Sequence, residues 1–517
     1  KPSMNRNTSL LLALTCLTAL ALILLVPNSS SQADVGWIES VDPLILETML
    51  VEDEAEFIVF LKEQADLSGA EQITNKTDKG TFVFERLTAL AASTQPPIID
   101  ELKKLGAEYQ PFWVANMIWV QGDATVLHTM AQRPEISFVY ANPAIRQDLP
   151  RNQGLAKLSP TEPTIPWHID LVGAPEVWAA GFTGQGAVVG GQDTGYDWAH
   201  PALANAYRGN DPGGVDHNYN WHDAIHIGPV TCGPDSQVPC DGHGHGTHTM
   251  GTMVGDDGGN NQIGMAPGAQ WIGCRNMNDQ GIGSPATYSE CYQWFIAPTD
   301  LDGMNPDPAK APHAINNSWS CPVSEGCNDP AILQTVVENV RAAGILTVHS
   351  AGNSGPGCET INTPAAIYDA SFSVGATTDL DVISSFSSRG PVSVDGSNRP
   401  KPDITAPGQS VYSSTPGGNY ANLSGTSMAG PHVAGLAALL VSANPSLAGE
   451  VDSLEMAITQ SAIPKTASET CGSVPGSQVP NNTYGYGRID AFGALNLILE
   501  LEPKFYYPFV ATSLDGF

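Results

Sequence analysis

The stretch Gly425-Thr426-Ser427-Met428-Ala429-Gly430-Pro431-His432-Val433-Ala434-Gly435 runs on into small and aliphatic side chains as far as Leu440. It reads as a turn leading straight into a buried helix. Gly425 permits a tight bend. Pro431 is tolerated in a helix only near the first turn, which sets the start close to Ser427. The small residues predict a helix covered on most sides. A serine at such a start sits beside unpaired backbone N–H groups and the positive end of the helix dipole. A developing oxyanion is stabilised there. The plainer reading makes Ser427 an N-cap. The crowding of small residues speaks against it, because a cap does not need them.

Outward from this helix, short apolar segments alternate with Gly-rich turns and helical stretches. The strands are Ala187 to Gly191, Trp271 to Arg275, Ala314 to Asn317, Ile345 to Ser350 and Phe372 to Ala376; Val336 to Ala343 and Val433 to Leu440 are helical. This alternation predicts an α/β fold, a mainly parallel sheet with helices on both faces. Reactive groups in such sheets collect at strand carboxyl ends and helix starts.

Partners for Ser427 stand at those places. The first strand runs into Asp193-Thr194-Gly195, where a carboxylate can hold a histidine tautomer or serve as a turn residue. Asp241 to Thr252 carries His243, His245 and His248. One of them suits a general base. Three close histidines also suit a metal, although the Glu of the His-Glu-x-x-His zinc motif is missing; spacing alone leaves both readings open. Ile345 to Gly355 is a strand ending in Gly352-Asn353, where an Asn is a turn former or an amide donor to an oxyanion.

Together, Asp193-Thr194-Gly195, His245-Gly246-Thr247-His248, Ala351-Gly352-Asn353 and Gly425-Thr426-Ser427-Met428-Ala429 resemble the four signature blocks of the subtilisin-like serine proteases, in that family's chain order. The resemblance covers roughly residues 165 to 495. Pro166-Trp167-His168-Ile169-Asp170, Gly264-Met265-Ala266-Pro267-Gly268-Ala269 and Asn316-Asn317-Ser318-Trp319 point to one branch of the family. It implies a serine endopeptidase acting on protein or peptide substrates, with no cofactor required for the chemistry. Ser427 would be the nucleophile, His245 its base, and Asp193 the group orienting His245. Asn353 and the Ser427 N–H would form the oxyanion hole, and Ser318, Trp319 and Ser320 would bind substrate. His248 and His432 would be structural. A dead relative that binds peptides and a metal-dependent hydrolase are the competing classes. Gly191-Gln192 departs from the apolar residues usual before the aspartate, which weakens strand burial locally. Insertions near Asp211 to Cys240 and Pro298 to Pro312 leave the cleft edges open.

The rest of the chain fits an exported precursor. Residues 1–33 read as a signal peptide, with Met4 as initiator, an apolar run from Leu10 to Val26 and Ser31-Gln32-Ala33 before the cut. An uncleaved anchor is the alternative; no later stretch reads as a span, so secretion or cell-surface location is expected. Residues 34–150 form a cysteine-free unit of order strand, helix, strand, strand, helix, strand, a small ferredoxin-like α+β module. Its helix is read from Thr88 to Leu105, interrupted by Pro96-Pro97. Residues 57 to 142 resemble the family's propeptide, which implies an intramolecular inhibitor and folding aid, removed by autocleavage between Asn142 and Thr164. A linker (151–164), a catalytic domain (165–500) and an aromatic tail (501–517) follow.

Eight cysteines remain after the signal, an even number that suits disulfides. Cys232/Cys240 and Cys321/Cys327 are natural pairs; Cys274, Cys291, Cys358 and Cys471 pair in any of three ways. The formal charge of −31 argues against nucleic acid as a partner. Asp300, Asp302, Asn305 and Asp307 gather oxygen ligands that suit a structural calcium, without EF-hand spacing, or form a solvated acidic loop.

Overall fold

The computed structural model describes residues 36–147, 165–228 and 231–501. The signal, linker and tail expectations therefore fall outside the described residues, apart from Leu501. The first unit carries β1 (Ala55–Leu61), α1 (Lys76–Thr94), α2 (Pro96–Leu105), β2 (Glu108–Phe112), β3 (Met117–Gly122), α3 (Ala124–Ala131) and β4 (Ile136–Ala141), then a short β5 (Ile145–Arg146). The strands pair in the order β2-β3-β1-β4, and β1 is antiparallel to β3 and β4. Alternation along β1 gives the sheet two apolar faces. Phe57, Val59 and Leu61 pack under the unit's own helices, while Ile58 faces the second body.

The first helix starts well before Thr88, the start expected from its spacing. It begins at Lys76, capped by the Asn75 side chain on Asp78 N–H (3.0 Å). Its buried positions are Lys79, Gly80, Val83, Leu87 and Ala91. Two of these five are not apolar, so the pattern is blurred. Pro96 and Pro97 open a new helix at its first positions.

The second body holds β6 (Val188–Asp193), β7 (Trp221–Asp223), α4 (His245–Val254), β8 (Gln270–Arg275), β9 (Ile282–Gly283), α5 (Pro285–Ile296), β10 (Ala314–Asn317), α6 (Gln334–Ala342), β11 (Leu346–Ser350), β12 (Phe372–Thr377), β13 (Ile404–Pro407), β14 (Val411–Thr415), β15 (Asn419–Leu423), α7 (Thr426–Ala443), α8 (Val451–Gln460) and α9 (Ala491–Leu501). Seven parallel strands pair in the order β13-β12-β11-β10-β6-β8-β7. One face is covered by α4, α7, α8 and α9. The other is covered by α5 and α6, and its core takes in Ile58, Val83, Leu87, Phe112 and Val114 of the first unit.

Helix α7 is the spine of the first core. Val433, Leu436, Leu439 and Leu440 are completely buried, each contributing roughly 1.5–3 kcal/mol. Its length and apolarity match a membrane span, but 89% of it lies inside the protein. Both edge strands, β7 in the Asp211–Cys240 insertion and β13, and the β14–β15 hairpin lie outside the strands expected from the sequence. The disulfides are Cys232–Cys240, Cys274–Cys291, Cys321–Cys327 and Cys358–Cys471. The last spans 113 residues and restricts the unfolded chain by on the order of 4–5 kcal/mol.

Candidate active site

Asp193 ends β6 at the carboxyl edge of the sheet, and His245 opens α4 beside it. His245 Nδ1 donates to Asp193 Oδ1 at 2.7 Å, and both side chains are buried. Asp193 Oδ1 also accepts from Thr194 N–H (2.7 Å), and Oδ2 accepts from Thr249 Oγ1 (3.3 Å). This carboxylate fixes the ring's orientation and its tautomer. His245 Nε2 is also buried, and it has no hydrogen-bond partner among the described residues.

A residue not singled out from sequence holds this corner together. Asp241 Oδ1 accepts from the N–H groups of His243 and Gly244 and from Thr194 Oγ1; Oδ2 accepts from Thr247 N–H and Oγ1. It ties the His loop to the Asp193-Thr194-Gly195 turn. Gly195 is in the left-handed region (φ 106°), and a Cβ there would lie 1.8 Å from Cys240 O. The signal was in the sequence as Asp241, four residues before His245, a turn-forming aspartate ahead of a helix.

The Gly191-Gln192 departure does not weaken the strand. A Cβ on Gly191 would collide with the Tyr196 hydroxyl at 2.4 Å. Gln192 is fully buried and satisfied: Nε2 donates to Asn317 Oδ1 (2.6 Å), and Oε1 accepts from Asn276 Nδ2 (2.9 Å). A chain of amides thus runs from the residue after β8 through β6 to β10, beside Asp193.

Ser427 is the second residue of α7 and makes no cap; the N-cap is Gly425, whose backbone is extended (φ 166°) with no left-handed bend. Pro431 lies further inside the helix than the sequence reading put it. Lacking an N–H, it cannot bond the carbonyl four residues back, which is that of Ser427. Ser318 Oγ supplies the missing donor at 3.0 Å, and is itself held by Asn316 Nδ2 (2.8 Å). Ser427 Oγ donates to Ser318 O at 3.4 Å. No hydrogen bond joins it to His245, so that link of an Asp-His-Ser chain is open here; such bonds are often loose without substrate. Asn353 Oδ1 accepts from Thr426 N–H (2.8 Å) and Oγ1 (3.0 Å), which fixes the orientation of its amide.

The first unit reaches into the adjoining cleft. Its β2–β3 end rests on α5 and α6: Gln110 donates to Glu290, Trp113 and Val114 N–H to Gln293 Oε1 (2.7 and 3.2 Å), and Asn339 to Val114 O. From there β5 pairs antiparallel with β9, and Gln147 N–H donates to Gly281 O. Ser320 N–H and Oγ donate to Gln147 Oε1 (3.0 and 2.9 Å). Trp319 is buried, stacked on Tyr288 at 4.0 Å. Trp319, Ser320 and Asn353 line a cavity of about 500 Å³.

The other histidines are structural in placement. His248 Nε2 faces Val411 O and Ala421 O, and burial pushes its pKa down to about 3. His168 bridges His432 and Tyr412 O, and His432 bonds Met428 O; burial holds His432 down at about 4. His243, His245 and His248 do not gather as a metal set, nor do Asp300, Asp302 and Asp307; no such group forms among the described residues. Asp300 bonds Met304 N–H and Asn305, and Asp307 caps Ala309 N–H.

A model of the subtilase family of peptidases matches residues 184–487. Bacillopeptidase F of Bacillus subtilis (strain 168) is 39% identical over 442 residues, 82% of this chain and 29% of that protein. M-protease of Shouchella clausii (strain KSM-K16) is 34% identical over 291 residues, 56% of this chain and 63% of its own length. Subtilisin Savinase of Lederbergia lenta is 34% identical over 283 residues, 55% of this chain and 86% of its own. The matched part thus spans under a third of bacillopeptidase F and under two thirds of M-protease.

Proposed function

Because the chain belongs to the subtilase family of serine peptidases, we propose that it is an endopeptidase working through Asp193, His245 and Ser427, made as a self-processing precursor for export. The observation that carries this reading is His245. Its Nδ1 is tied to a buried carboxylate, and its buried Nε2 is left without a partner among the described residues. An imidazole so held is an acceptor waiting for a proton.

In this reading His245 Nε2 takes the Ser427 proton as Oγ attacks the scissile carbonyl, and returns it to the leaving amine. Asp193 stabilises the imidazolium without taking the proton. Asn353 Nδ2 and the Ser427 N–H receive the oxyanion. A side-chain donor of this kind is worth ~3 kcal/mol in the transition state, a figure taken from subtilisin, a relative of this chain. The substrates are proteins or peptides, bound between β9 and the Ser318–Ser320 segment.

The first unit acts as an intramolecular inhibitor, since β5 already occupies that strand position. Residues Ile145 to Gln147 then lie on the acyl side of the bond to be cut. This narrows autocleavage from the span Asn142–Thr164 to a bond beyond Gln147. Secretion follows the signal-like start of the sequence. Wild type and Ser427→Ala, expressed in parallel and weighed intact, test the reading. It predicts that wild type loses the first unit at a bond beyond Gln147 and Ser427→Ala keeps it. Equal trimming of both would assign maturation to another protease. No trimming, with no cleavage of casein, would favour a dead relative.

A further inference from the structure

The loop between Cys321 and Cys327 is closed by their disulfide and by Glu325 N–H and Cys327 N–H on Pro322 O. It brings Glu325 to the wall of the cavity that also contains Trp319, Ser320 and Asn353. Among the described residues lining that cavity, Glu325 is the one carboxylate and Arg146 of β5 the one cation. Glu325 Oε2 is cut off from solvent without a hydrogen-bond partner, and no ion pair to Glu325 forms among the described residues. A carboxylate oxygen in that state is costly unless a cation comes to it. Ile145 is buried against the second body, whereas Arg146 and Gln147 both line the cavity.

We propose that Glu325 is a specificity-determining residue that selects a lysine or arginine side chain of the substrate. Resting on the endopeptidase reading above, this adds the class of peptide preferred. Arg146 lies at least two residues before the bond to be cut, so the preference falls at one of the positions P1 to P4 that precede it.

The test uses the full chain after maturation, with active enzyme counted by a serine-reactive phosphonate. Fluorogenic peptides carry lysine or its neutral analogue norleucine at each of P1 to P4 in turn. Wild type is expected to favour lysine at least tenfold in kcat/KM at one of these four positions. Glu325→Gln should remove that factor while the norleucine peptides stay within twofold. Glu325→Asp should retain part of it, and Glu325→Lys should turn the preference toward glutamate. A lysine-to-norleucine ratio below two in wild type overturns the proposal, whatever the variants do. So does a Glu325→Gln enzyme that loses both substrates alike. An enzyme that neither labels nor turns over any peptide fails the endopeptidase reading instead.

Discussion

Ser318→Ala probes the way the Ser427 carbonyl is satisfied. Pro431 denies that carbonyl its helical donor, and Ser318 Oγ replaces it at 3.0 Å in a buried setting. Without the hydroxyl the carbonyl is orphaned, and Asn316 Nδ2 loses its acceptor as well. A buried group left unpaired costs about 1–3 kcal/mol. A loss of ~2 kcal/mol is expected for the pair. With an unfolding entropy of roughly 2.1 cal/mol/K per residue, this lowers the midpoint of a body of this size by about 3 °C. Pro431→Ala restores an N–H four residues on. The double variant Ser318→Ala/Pro431→Ala should therefore regain at least ~1 kcal/mol relative to the sum of the singles. Thermal unfolding of the uncleaved chain, in a His245→Ala background that prevents self-digestion, measures all four corners. If Ser318→Ala shifts the midpoint by less than half a degree, or the two changes simply add, the substitution of one donor by the other is refuted.

Three further outcomes follow from the same geometry. Gln192→Leu leaves Asn317 Oδ1 and Asn276 Nδ2 unpaired beside Asp193; a loss of ~2–4 kcal/mol is expected in the same unfolding assay, and a neutral change would contradict it. Gln293→Ala removes the acceptor of Trp113 and Val114 N–H; the lag before activity appears in a maturing sample should shorten by about tenfold or more, and an unchanged lag would speak against this contact as a brake. His248 and His349 are kept neutral by burial, each pushed down to about 3. Their contribution is complete above the unfolded value near 6.5 and is lost as pH falls from there toward 3, at ~1.4 kcal/mol per unit for each. His226, raised to about 10 by Glu290, contributes in the opposite sense, below 6.5 and fading toward 10. His349→Gln should flatten the loss of stability between pH 6 and 4 by about one proton, and an unaltered slope would count against the burial argument.

The parallel sheet was legible because its buried strands are short apolar runs with Gly-rich ends, and five of its seven strands fall where those runs lie. Strand β7 was not, since Trp221-His222-Asp223 has no apolar run. It is held by pairing to β8 and by the Arg275–Asp223 ion pair, a contact distant in sequence. Helix α1 was shortened because Lys79 and Gly80 face the second body, and a contact surface between two units need not read as apolar. The residues Asp193, His245, Ser427 and Asn353 could be named because each stands in a short local pattern. Asp241, Gln192 and Ser318 act by holding others through bonds across 47 to 125 residues of chain, and no local pattern records such partners. The remaining disulfides, Cys274–Cys291 and Cys358–Cys471, needed the fold to choose among three pairings.

The most direct test of the central claim is the site of covalent capture. Matured wild type is treated with a fluorophosphonate, digested and mapped by mass spectrometry, beside a His245→Ala control. The account predicts one adduct, on Ser427, and its loss when the imidazole is removed. An adduct on another residue, or equal labelling of Ser427 without His245, would contradict it.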